Sequence, residues 1–174
     1  MPYFGSTLFV VALLLGSTAL LVGGIHLVTA LARERVVRAA VLTEERPFVS
    51  VLLGLPIFVV IVLAIAVLGN VGPFGKALAF LWGSLAGGLA VMALAVATVR
   101  VGRGLLPKEE PGSMPATHRG AIVLLFSALI PFFGWFIVLP LSLFGGLGAL
   151  AHTLVARRAM GAANEAVAAT TRIS

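Results

Sequence analysis

Four apolar runs dictate what this chain can fold into. Phe4–Leu31, Pro47–Leu68, Ala77–Val99 and Gly120–Ala156 contain no Asp, Glu, Lys or Arg. A helix needs about 20 apolar residues to cross roughly 30 Å of hydrocarbon. The first three runs have 28, 22 and 23 residues, which is about 42, 33 and 35 Å of helix. Each therefore predicts one transmembrane helix. The first is longer than the apolar core of a signal peptide, and nothing basic precedes it, so it reads as a retained span. The rest of the composition agrees: 60% of the 174 residues are hydrophobic and only 10% charged, a balance that points to an integral membrane protein.

The fourth run is too long for one crossing. Its 37 residues would make a helix of about 55 Å, overshooting the hydrocarbon by about 25 Å. Within it lies IPFFGWFIVLP, where Pro131 lacks an N–H and Gly134 can take positive φ, so both suit a turn. The competing reading is one helix kinked at proline. Charge separates the two, because short loops rich in Lys and Arg stay cytoplasmic. If the segment after the first span is inside, so are Arg33, Arg35, Arg38, Arg46, Arg100, Arg103, Lys108 and Arg119, with Lys76 outside. A single last crossing sends Arg157, Arg158 and Arg172 outside, a split of 8 to 4; a hairpin keeps them inside, 11 to 1. The hairpin also groups ten of the fourteen aromatic residues towards the outer side. The expected architecture is an all-α integral membrane protein with three transmembrane helices and a C-terminal helical hairpin. Residues 1–46 form the first span with a basic extension, 47–156 the bundle ending in the hairpin, and 157–174 a cytoplasmic, Ala-rich tail.

Local signals refine this outline. Gly69-Asn70-Val71-Gly72-Pro73-Phe74-Gly75 predicts a tight loop and antiparallel neighbours on either side. Arg100–Arg119, with three prolines in its LPKEEPGSMP core, predicts an irregular polar loop. In RERVVRAAVLTEER, Val36, Val37, Ala40 and Val41 share a face and Glu34 can pair with Arg38, as in a helix continued along the interface; the plainer reading, which the general bias favours, is the flanking charge of a cytoplasmic loop. Pro56 and Pro140 predict kinks. Small residues four apart let helices approach closely: Gly83 with Gly87, Ser84 with Gly88, and Gly145 with Ala149 are candidate packing pairs.

Little here suggests chemistry. There is no Cys and no Asp, so thiolate chemistry and thiolate metal sites are excluded. No carboxylate or Lys falls within a span, which argues against a proton relay or an ion-coupled transporter. No serine or threonine has a base nearby in sequence. Of His26, His118 and His152, no two share helical i,i+4 spacing, and no metal site is expected. His118 reads as solvated and His152 as facing the inner interface. His26, in GGIHLV, is the only candidate cofactor residue: the glycines beside it leave room for a haem or chlorophyll macrocycle, while the plainer reading is a helix-end histidine bonded to a neighbour.

The pieces RPFVSVLLGLP, LGNVGPFGKALAFLW, VRVGRGLL, ALIPFFGW and LFGGLGAL carry a further signal. Residues of about 46–156 resemble the membrane domain that accompanies bacterial polymer-forming, bactofilin-type proteins, here without the β-helix and with an extra span in front. The shared features are a Pro-initiated span with a central Pro, a Gly/Pro turn, a third helix ending in a basic Gly-Arg segment, and a hairpin with an IP-x-x-GW turn. The resemblance implies an anchor or scaffold with no catalytic role, and it favours the hairpin.

The sequence thus leads to a non-enzymatic accessory or scaffold subunit of a larger bacterial inner-membrane complex. The N-terminus is expected outside and the C-terminus in the cytoplasm, with lipid and other membrane subunits as partners and no nucleic acid. The alternatives are a pigment- or haem-contacting subunit and a small channel or transporter.

Overall fold

The computed structural model describes the backbone of residues 3–171 and the side chains of residues 8–13, 15–130 and 132–155. Within that range the chain is helical, with no strand. We number its helices α1 (Tyr3–Leu31), α2 (Arg33–Glu45), α3 (Pro47–Gly69), α4 (Gly72–Leu105), α5 (Met114–Leu129), a short α6 (Pro131–Phe133) and α7 (Leu139–Thr171), with one π-helical turn, Gly134–Val138, joining the last two. Four of the described helical stretches are long and apolar enough to cross a membrane: Leu8–Leu31, Pro47–Gly69, Gly72–Leu105 and Gly134–Val155.

The last apolar run is broken at Ile130, whose backbone is extended (φ −74°, ψ 110°) ahead of Pro131, as a residue preceding proline prefers. Directions follow from backbone contacts. Gly102 lies on the Ala116 carbonyl and Gly120 on that of Thr98, so α5 runs antiparallel to α4. Gly54 lies on Phe144 and Gly148 on Ser50, so α7 runs antiparallel to α3. A two-residue link, Asn70–Val71, reverses α3 into α4, with Gly72 at φ +71°, a value that suits glycine. Hence α5 and α7 run in opposite directions, and the run folds as a hairpin rather than a kinked rod.

Gly134 does not make the turn in the expected way. Its φ is −67°, ordinary helix, and its role is close approach: a Cβ there would collide with the backbone of Ser127 and Ala128. The π turn follows directly and ends two residues before Pro140. Pro140 has no N–H to give the Phe136 carbonyl, and a π turn absorbs such a gap in the ladder.

Other expectations need adjustment at their edges. α4 begins inside the expected Gly/Pro loop and continues to Leu105, through the basic segment, so only Leu106–Ser113 remain outside helices in the polar loop. α2 is not a continuation of α1. The chain breaks at Ala32 (φ −122°, ψ 32°), and the buried face of α2 is Val36, Ala39, Ala40 and Thr43. That face packs against α4 and α7 instead of lying along a surface. The buried core gathers here: Ile25, Val36, Ala39, Ala40, Ala95, Val96, Val99, Ala149 and Leu150.

The bundle therefore has a packed, charged end and a bare apolar end. At the charged end Arg103 meets Glu44 at 3.0 Å and Arg33 meets Glu110 at 2.9 Å, while Glu34 and Arg38 approach to 3.6 Å along α2. At the other end Leu8, Phe9, Leu13, Leu15 and Leu20 of α1 stand exposed, as do Phe74, Phe80, Leu81 and Leu85 of α4. Arg172 lies outside the described residues, as do the side chains of Arg157 and Arg158.

Candidate functional site

The polar side chains that converge do so where α1 ends, α2 starts and α5 begins. A cleft of about 280 Å³ opens there, lined on one side by His26, Thr29 and Arg33 and on the other by Glu110, Ser113 and Thr117. Its wall is fixed. Arg33 binds the Glu110 carboxylate and also reaches the Pro111 carbonyl at 3.5 Å. Gly112, at φ +75°, lets the loop press onto Val37 and Arg33, where a Cβ would meet the Val37 side chain at 2.9 Å.

His26 is half-buried, and its Nδ1 is 2.8 Å from the Val22 carbonyl. A carbonyl only accepts, so Nδ1 carries the proton and Nε2 keeps the free lone pair. The ring of His118 lies 5.6 Å away, centroid to centroid and tilted by 53°. His118 is exposed, but on α5 rather than in the loop. Thr29 is spoken for, its hydroxyl donating to Ile25 at 2.7 Å. Ser113 and Thr117 are not: both hydroxyls are buried without a partner, as are those of Thr98 and the Nδ1 of His152.

Two histidines and one glutamate near one another do not make a metal centre; among the described residues no group of three or more potential ligands is placed to hold an ion. The space beside His26 is small against the roughly 300–1,000 Å³ of typical small-molecule sites, and a flat macrocycle needs more. Gly23 has open space beside it, whereas Gly24 is already close to Val91, at 3.3 Å from a built Cβ.

The expected packing residues divide into two groups. Gly145 lies beside Thr43 and Val51, and Ala149 is fully buried. Around Gly83, Gly87 and Gly88 nothing comes within 4 Å, and Ser84 is exposed with its hydroxyl bonded to Phe80 of its own helix. The glycines that do carry the helix crossings, Gly54, Gly102, Gly120, Gly146 and Gly148, were not singled out by spacing.

The sequence contained one cue to the cleft. Ser113 directly precedes Met114-Pro115, a helix-start signal of cap residue then proline. Nothing in the sequence linked it to His26, 87 positions earlier. A second, larger groove of about 890 Å³ runs along Ala30–Leu42 and is closed by Thr153 and Leu154 of α7. No protein-family model, curated protein or solved structure matches the chain.

Proposed function

We propose that this chain is a non-catalytic accessory or scaffold subunit of a larger assembly in the bacterial inner membrane, with its N-terminus outside and its tail in the cytoplasm. The observation that carries the reading is the uneven packing. One end of the bundle is closed by glycine-mediated crossings and ion pairs, while the outer stretches of α1 and α4 touch little of their own chain. Bare apolar helix is at home in lipid. A bare stretch that also presents Gly83, Ser84, Gly87 and Gly88 suits a neighbouring helix, since small residues allow the close backbone approach on which association in hydrocarbon depends. The resemblance of residues 46–156 to the bactofilin-associated membrane domain points to the same role.

The test is extraction of a tagged copy in mild detergent. The expected result is a membrane protein co-eluting at fixed stoichiometry, lost in Gly87→Leu although that variant still purifies folded. A protein that emerges alone and monodisperse overturns the reading.

A pigment- or haem-contacting subunit is the second reading: the Nε2 of His26 keeps a lone pair, and the group would have to lie outside the cleft, on the open side of Gly23. A visible spectrum of the purified complex, unchanged by His26→Leu, removes it.

A further inference from the structure

The start of α5 leaves several donors unanswered. The first N–H groups of a helix have no acceptor within it; here they include those of Met114 and Ala116, Pro115 having none. Ser113 stands at the cap position, yet its hydroxyl makes no capping bond and is buried without a partner. One turn further, the Thr117 hydroxyl is in the same state, on a residue 1% exposed. Buried polar groups without partners are uncommon and costly. Both residues line the cleft of about 280 Å³, and His26 and Arg33 face them across it.

The chemistry of this lining is that of an anion site. It offers two hydroxyls, the Met114 end of a 16-residue helix with its positive dipole, and a guanidinium. A helix N-terminus favours phosphate for just these reasons. One group opposes an anion, the Glu110 carboxylate, and Arg33 already holds it at 2.9 Å. We propose that this cleft binds a phosphate group, carried by a phospholipid headgroup or supplied as free phosphate, with Ser113, Thr117 and the Met114 amide as its donors. Its volume admits a tetrahedral anion with room for the glycerol of a headgroup.

Native mass spectrometry of the protein released from nanodiscs tests this. The wild type is expected to retain one phosphatidylglycerol in preference to a glycolipid with the same acyl chains. Ser113→Ala and Thr117→Val each lower the affinity for it about 10- to 150-fold, as expected for losing one bond to a charged group. Neither substitution removes a hydrogen bond present in the structure, so both variants fold. Free phosphate is tested on delipidated protein in detergent. If inorganic phosphate raises the unfolding temperature of the wild type but not of Thr117→Val, and no lipid preference is seen, the ligand is free phosphate. Equal retention of both lipids with no effect of phosphate overturns the proposal. So does binding that is unchanged in both variants.

Discussion

Gly148 and Ser50 meet backbone to backbone where α7 crosses α3, so closely that a Cβ on Gly148 would fall inside the Ser50 carbonyl. Four residues away the pairing repeats in reverse order, Gly54 against Phe144. Two such contacts, one turn apart on each helix, fix the direction and register of α7, and through it the sense of the hairpin. In hydrocarbon there is no water to drive helices together, so close contact between backbones takes over that task.

Alanine is the smallest probe of this crossing. Gly148→Ala and Gly54→Ala should each destabilise the protein by about 3 kcal/mol or more, because the obstacle is backbone and cannot rotate away. Gly87→Ala, with open space around it, should leave the monomer unchanged. Unfolding in mixed detergent micelles measures all three.

Thr98 is fully buried on α4 and its hydroxyl has no partner. Thr98→Val keeps the shape and removes the unanswered group. Stability is expected to rise by about 1 kcal/mol or more, and a loss in the same unfolding assay would show that the hydroxyl has a partner after all.

The ion pair between Arg103 and Glu44 is 40% and 35% exposed on its two sides. Pairs this open contribute about 0.2–1 kcal/mol and are screened by salt. A double-mutant cycle with Arg103→Gln and Glu44→Gln should give a coupling in that range at low salt, shrinking as salt is raised.

The absence of cysteine makes topology directly measurable. Cysteines placed at Glu45, Lys108 and Thr171 should react with an impermeant maleimide only after the cells are opened, and one at Val71 should react before. Labelling of Thr171→Cys together with Val71→Cys would contradict the proposed orientation of the tail.

Much of this architecture was legible. Length and charge marked the long helices, the Gly/Pro link marked the α3–α4 reversal, and Pro131 marked the break in the fourth run. The helix crossings were not legible, for a physical reason. A helix apolar all round has no hydropathic face to announce its neighbour, so the spacing of small residues drew attention to Gly83 and Gly87, which stand open, and passed over Gly148 and Gly102, which do not. α2 misled differently. Its apolar positions fit an interfacial helix, and only the tertiary structure shows Val36 and Ala39 sunk against α4 and α7. The cleft escaped notice because Ser113 and Thr117 look like ordinary loop and helix-start residues until α1 brings His26 and Arg33 beside them.

The bare stretch of α1 leads into the cleft. From Leu8 to Leu20 the described side chains are exposed, and burial begins at Leu21, three residues before Gly24 rests near Val91. That is about 20 Å of helix with an uncovered apolar surface. The same helix therefore serves two environments: its apolar length is covered by whatever surrounds the bundle, while its last turns supply His26 and Thr29 to the cleft.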